Sequence, residues 1–211
     1  MPVERRLLII GAGGFGRELE SWLDAVPEAS RDWRIHGYLD DGPDALAGYP
    51  SDYTVVGALS TFPFRESDVA VLAIGDPRSK QKVVGQLENR VEFLTFIGPG
   101  SRMGKNVRLG RGTVIGVNCI LTTNIDVGDF VTINSFSAIG HDVKIGSYTS
   151  LMGNVMANGN CLIGESAYIG TSASLIPGRR VGQFATVGAG AVVFRHVAPG
   201  TTVIGNPARV F

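Results

Sequence analysis

The segment Ile133-Asn-Ser-Phe-Ser-Ala-Ile139-Gly-His-Asp-Val-Lys-Ile145-Gly-Ser-Tyr-Thr-Ser-Leu151 carries an aliphatic residue at every sixth position. Counting outward in both directions keeps the register. It begins at Ile97 and Met103 and continues unbroken through Leu109, Ile115, Leu121 and Val127. Beyond the quoted stretch it runs through Ala157, Ile163, Ile169, Leu175, Val181 and Val187 to Val193. All seventeen positions are apolar in a chain that is 44% hydrophobic, and eleven are followed directly by Gly. A fixed period of six is the mark of a hexapeptide β-helix. Each unit supplies one short strand and one turn. A single unit cannot bury its apolar residue, but stacked units bury a continuous column.

In the known architecture of this type three units close one coil, and the coils wind left-handed, against the usual crossover rule. Seventeen units then give nearly six coils, a rod of roughly 25–30 Å at the spacing of stacked parallel strands. The tail Pro199-Gly-Thr-Thr-Val-Ile-Gly-Asn-Pro-Ala-Arg209 abandons the period and is expected to cap the last coil.

The preceding part reads differently. Arg6–Ile10 is a buried strand that ends in Gly11-Ala-Gly-Gly-Phe-Gly16, and Arg17–Ala25 then places Leu19, Trp22 and Leu23 on one helical face. Trp33–Leu39 is a second strand, closed by the turn Asp40-Asp-Gly-Pro43. Val69–Ile74 is a third, Ser79–Glu88 a helix and Val91–Ile97 a fourth strand. Alternating strands and helices give a small parallel α/β sheet of half-Rossmann type. The expected organisation is therefore an α/β domain over residues 1–96 followed by a left-handed parallel β-helix over residues 97–211.

The chain has 211 residues, and Lys plus Arg equals Asp plus Glu at 19 each. Without a basic run, nucleic acid is not an expected partner. No apolar run approaches the ~20 residues that cross a bilayer, so membrane insertion is not expected. The opening residues lack the apolar core of a secretory signal, which points to the cytoplasm. Cys119 and Cys161 occupy a slot filled elsewhere by small residues. They read as buried reduced thiols, with neither a disulfide framework nor a metal site indicated.

His141 is the only histidine inside the repeat, two residues beyond the core position Ile139 and next to Asp142. An imidazole oriented by a carboxylate suits general-base work on an amine or hydroxyl. A solvated surface histidine beside an aspartate gives the same dipeptide. The Gly11–Gly16 loop lies between a strand and a helix. Bare N–H groups at a helix start favour phosphate, and a tight ligand-free turn has the same spacing. Asp40 and Gly75-Asp76 close two other strands on the same sheet edge, where ligands collect in such folds. His36 and His196 read as structural, and Arg179 as the one charge in the small-residue slot.

Gly11-Ala-Gly-Gly-Phe-Gly-Arg-Glu18, Tyr38-Leu-Asp-Asp41, Ala73-Ile-Gly-Asp76, the hexapeptides, Ile139-Gly-His-Asp142 and Gly205-Asn-Pro-Ala-Arg209 follow one another in this order. In that combination the chain resembles the NeuD/PglD-like bacterial sugar acyltransferases over essentially its whole length. The resemblance implies an acetyl-CoA-dependent acyltransferase that acetylates the amino group of a nucleotide-linked amino sugar. It implies direct transfer, no metal, and a homotrimer with sites between neighbouring β-helices. His141 matches the family's general base, Asp142 its paired carboxylate (often Glu in relatives), and Asn134 the asparagine near the acceptor. Gly159 matches the residue whose N–H polarises the thioester carbonyl. Thr171 and Ala189 fall where relatives contact the CoA arm through their backbone. Gly13, Gly14, Phe15, Asp40 and Asp76 match the nucleotide-sugar pocket. Two positions depart from the pattern: Phe15 stands where many relatives carry His, and Ser150 where some carry a second active-site His. O-acetylation of a sialic-acid type sugar is the alternative within this class. A nucleotide-binding regulator and a non-catalytic β-helix scaffold are the alternatives outside it.

Overall fold

The computed structural model describes residues 5–211, so the expectation about the opening residues lies largely outside the described part. The chain divides into two compact units. The first reaches to Ile74 and resumes over Ser79–Leu94; the second comprises Gly75–Arg78 and Thr95–Phe211.

The first unit holds a five-stranded sheet. Its strands are β1 (Arg5–Ile10), β2 (Trp33–Leu39), β3 (Val55–Gly57), β4 (Asp68–Leu72) and β5 (Glu92–Phe93), in the order β3-β2-β1-β4-β5 and all parallel. Helix α1 (Gly14–Asp24) follows β1, and α2 (Pro77–Leu87) follows β4. Leu7–Ile10 on β1 are fully buried, as befits a strand covered on both faces. The strand order reverses between β1 and β4, so the loop leaving β1 lies at the switch point where doubly wound sheets bind ligands. Three expectations shift here. The helix after the glycine loop begins at Gly14, because the loop itself winds into the first turn. A short edge strand, β3, pairs with the end of β2. The strand expected over 91–97 is two separate pieces: Glu92–Phe93 joins the first sheet, and Phe96–Ile97 pairs with Val114–Ile115 as the first rung of the second unit.

One ion pair anchors the start of this sheet. The guanidinium of Arg6 donates to both oxygens of the buried Asp68 at 2.8 Å each, and the Arg65 N–H adds a third bond at 2.8 Å. Burial pushes the Asp68 carboxyl up. The Arg6 fork, the Arg65 N–H and their charges outweigh it and hold the group below the usual aspartate range. The pair therefore contributes its full stability above about pH 4 and loses it as acidification passes through the depressed folded pKa. Asp68→Asn is expected to cost about 3 kcal/mol at neutral pH and to flatten the acid limb of stability. Denaturant melts between pH 2.5 and 7 measure both; parallel curves for the two proteins would contradict the assignment.

The second unit is a parallel-strand solenoid consistent with a left-handed β-helix. Each strand from Phe96–Ile97 to Ser174–Leu175 pairs in parallel with the strand 18 residues on, as in Thr132↔Ser150, Ala138↔Met156 and Lys144↔Leu162. Three hexapeptides thus close one coil. The strands form three faces: the first from Phe96–Ile97 onward, the second from Arg102–Met103, the third from Val107–Leu109. Register residues from Ile115 to Val193 are buried, and so are most residues four positions later, Cys119 and Cys161 among them. Both cysteines are free thiols, with burial pushing their pKa up. Ile97 and Met103 are exposed, since register residues of the first coil close only one end of the column. Two buried threonine hydroxyls are satisfied inside: Thr113 and Thr149 donate to the carbonyls of Gly128 and Gly164 at 3.0 and 2.9 Å. Gly recurs after the register residue because coils stack too closely for a side chain. A Cβ on Gly140 would lie 2.6 Å from the backbone nitrogen of Gly159. The tail closes the stack: Thr202–Ile204 adds a parallel strand, Arg209–Val210 an antiparallel one, and Val203 is buried.

Candidate active site

His141 and Asp142 sit in the corner between the second and third faces, on the turn that links Ala138–Ile139 to Lys144–Ile145. Asp142 takes the left-handed conformation, φ 60°, that tightens the turn. This puts its carboxylate beside its neighbour: Nδ1 of His141 lies 2.7 Å from Oδ2 of Asp142. An ionised carboxylate only accepts, so Nδ1 is the donor of this bond, and in the neutral ring the lone pair then falls on Nε2. The hydrogen bond from His141, with a lesser one from Asn124, holds the Asp142 carboxyl below its ordinary range against the opposing desolvation. The imidazole is well exposed, at 58% of its side-chain surface, so Nε2 is reachable from solvent.

Gly159 occupies the same corner one coil later, and the imidazole lies over it. A Cβ built there would fall 2.5 Å from Nε2 and 2.6 Å from Cε1. Only glycine leaves the ring its place. The Gly159 N–H donates to no backbone carbonyl among the described residues, while its own carbonyl accepts from Gly178 at 2.9 Å. A base nitrogen and an uncommitted backbone donor thus stand side by side.

Asn134, Thr171 and Ala189 fall on the next corner, between the first and second faces. The Asn134 side chain turns back on its own turn, Oδ1 accepting the Ser135 N–H at 2.5 Å. Thr171 and Ala189 stack one coil apart, linked by Gly190 N–H donating to Thr171 O at 2.8 Å. Both are exposed, and their own N–H groups donate to no backbone carbonyl among the described residues. Within one chain, then, the expected site residues divide between two corners. The face between them carries exposed apolar side chains: Ile120 and Met156 on its strands, Phe136 and Phe194 at its two margins.

In the first unit, Gly13 caps α1, and side chains built on Gly13 or Gly14 would meet open space rather than protein. Phe15 lies edge-on to Trp22 at 5.9 Å. Asp40 clasps the loop: its Oδ2 accepts the Ala12 N–H at 2.8 Å and its Oδ1 the Gly42 N–H at 2.9 Å. Gly13, Gly14, Phe15 and Asp40 therefore share the loop end of this sheet. Asp76 lies in the segment that groups with the second unit, where it lines a cavity of about 270 Å³ with Arg78, Tyr168 and Phe184. Ser150 is fully buried. His36 contacts the Arg6 guanidinium at 3.2 Å, and His196 accepts the Arg180 N–H at 3.1 Å. Two asparagines not singled out in the sequence, Asn106 and Asn124, join the His141 corner through their side chains. No group of three or more metal-ligating side chains occurs among the described residues, and no helix there is long and apolar enough to cross a membrane.

Comparison with known proteins adds independent findings. A model of the PglD N-terminal domain matches residues 6–87. No curated protein matches the chain. Among solved structures, WeeI from Acinetobacter baumannii AYE is 30% identical, with a TM-score of 0.85 over 98% of this chain and 100% of that one. The acetyltransferase domain of PglB from Neisseria gonorrhoeae FA1090, solved in complex with acetyl coenzyme A, is 25% identical. Its TM-score is 0.88 over 99% of this chain and 100% of its own. PerB from Caulobacter crescentus, in complex with CoA and GDP-perosamine, is 27% identical, with a TM-score of 0.86 over 97% and 96%. The likeness spans both units from end to end, and the chain belongs to the NeuD/PglD-like family of bacterial sugar acetyltransferases.

Proposed function

We propose that this acyltransferase moves an acetyl group from acetyl-CoA to the amino group of a nucleotide-activated amino sugar. The observation that carries the reading is the Asp142–His141–Gly159 arrangement: an exposed imidazole bonded through Nδ1 to a carboxylate lies over Gly159, whose N–H donates to no backbone carbonyl among the described residues. In this reaction the amine attacks the thioester carbon while Nε2 takes its proton. The oxyanion is stabilised by the Gly159 N–H. The attack forms the C–N bond; collapse of the tetrahedral intermediate breaks the C–S bond, and the proton passes from His141 to the departing thiolate. Both cysteines are fully buried, Cys161 beneath the turn that carries Gly159, so neither thiol is presented to the substrates and transfer is direct.

The relatives support the two substrates: PglB holds acetyl coenzyme A, and PerB holds CoA with GDP-perosamine. In this chain the exposed N–H groups of Thr171 and Ala189 suit the amide carbonyls of the CoA arm. Asn134 on the same corner suits the acceptor. Gly13 and Gly14 at the open N-terminus of α1 suit a diphosphate, with Phe15 and Asp40 beside them at the same loop end of the sheet. Because the base and the CoA contacts lie on different corners, the complete site needs a neighbouring copy. Ile120, Phe136, Met156 and Phe194 between the corners offer the apolar surface for a homotrimer. A reaction that consumes acetyl-CoA belongs in the cytoplasm.

A panel of nucleotide-linked sugars with acetyl-CoA, read by release of free thiol, tests the reading. Thiol release with amino sugars, together with a rise in Tm on adding acetyl-CoA, is the expected result. Release only with hydroxyl acceptors would replace it by O-acetylation. A flat response to acetyl-CoA in both assays would remove the donor.

A further inference from the structure

We propose that Asn124 is a positioning residue for the base, the middle rung of an amide ladder that runs from Asn106 to the Asp142 carboxylate. The inference rests on His141 being that base. Asn106, Asn124 and Asp142 occupy the same corner of three successive coils, each in the left-handed conformation with φ of 57°, 53° and 60°. Their side chains are stacked by the backbone and bonded in series. Asn106 Nδ2 donates to Asn124 Oδ1 at 3.0 Å, and Asn124 Nδ2 donates to Asp142 Oδ1 at 3.3 Å. Asp142 Oδ2 then faces His141 Nδ1 at 2.7 Å.

The direction of the chain is dictated by its end. A carboxylate has no proton to give, so Asn124 must present its NH₂ to Asp142. Its carbonyl then faces Asn106, which must in turn present its own NH₂. The ladder thereby holds one carboxylate oxygen and leaves the other to fix the imidazole. An exposed aspartate alone would sample several rotamers, and each departure would release Nδ1. Asn and Asp adopt this backbone more readily than most side chains, but the same turn position holds Phe130, Tyr148 and Ser166 in other corners, so the turn alone does not require an amide at 124. The other charged groups near Asp142 line the same depression of about 280 Å³: Arg108, Asp126 and Lys144. Arg108 is committed to Asp126 at 2.6 Å, so Asn124 and His141 are the groups bonded to Asp142 itself.

Two substitutions separate this role from that of a turn former. Asn124→Gly keeps the left-handed turn and removes the amide. Asn124→Asp keeps the turn and the side-chain size but sets a second carboxylate against Asp142. With acetyl-CoA and the best amino-sugar acceptor, Asn124→Gly is expected to lower kcat by about threefold to tenfold, the worth of one hydrogen bond, with KM for acetyl-CoA unchanged. In Asn124→Asp, His141 is expected to titrate at higher pH than in the parent protein by on the order of one unit. The acid limb of kcat should move with it. The imidazole titration, followed by NMR, does not require turnover. A His141 that titrates identically in Asn124→Asp and parent would overturn the ladder. Full turnover in His141→Ala would overturn the base while a displaced titration still upheld the ladder.

Discussion

His141→Ala is expected to lower kcat by about 10²–10⁴-fold, the usual contribution of a positioned general base, with the protein folded and acetyl-CoA still bound. The fold should survive because the imidazole lies on the surface over Gly159 and fills no part of the core. Its side chain is mostly exposed, and the coil is held there by backbone bonds, such as Asn160 N–H to His141 O at 2.8 Å, that any residue supplies. Donor binding should survive because Thr171 and Ala189 lie on another corner. The loss should therefore appear in kcat and leave the acetyl-CoA thermal shift intact. Because Asp142 stays ionised well into the acid range, the carboxylate partner is present throughout the neutral region. The variant's residual rate should be nearly independent of pH where the parent's is not. Turnover within a few-fold of the parent protein would take the histidine out of the mechanism.

Gly159→Ala is the second large effect, expected at about 10²-fold in kcat, the order of loss that a 1 Å misplacement of a reacting group brings. The added methyl would stand 2.5 Å from Nε2, 2.6 Å from Cε1 and 3.1 Å from Cδ2 of His141. No relaxation of the methyl is possible, since Cβ is fixed by the backbone. The ring must swing away, and in doing so it gives up the 2.7 Å bond to Asp142. The φ of Gly159 is not in the left-handed region, so alanine adds no backbone strain and the stack should remain cooperative. The comparison to make is Tm against kcat in the same preparation. A large fall in kcat with little change in Tm fits a displaced base. An unchanged kcat would mean the ring does not act from this position.

The sequence made the second unit readable because its period is rigid. A strand-turn unit of six residues leaves no room for insertion, so Ile97 to Val193 can be counted without alignment. The coil of eighteen was not in that count; it came from the pairing of Thr132 with Ser150 and its equivalents. For the same reason Asn124 passed unnoticed. Its partners are eighteen residues away on either side, and only the closed coil brings them together. His141 and Asp142 were legible because they are adjacent in the chain. Strand β3 was not, because Val55–Gly57 is three residues long and has no periodicity to reveal it. Asp40 was expected to face a ligand, and its two oxygens prove to clasp the Ala12 and Gly42 N–H groups. Such a carboxylate shapes the loop whether or not it also meets a ribose.

Because the second unit repeats only after three hexapeptides, changes in its length are quantised. Removing six residues between Gly159 and Thr171 would rotate everything downstream by a third of a coil, carrying Thr171 and Ala189 onto a different edge from the one they now share with Asn134. Inserting eighteen there would keep the edge and merely set the two groups one storey further apart. Chains of this kind can therefore lengthen or shorten only by whole storeys without dismantling the relation between the corner of His141 and the edge of Thr171 and Ala189.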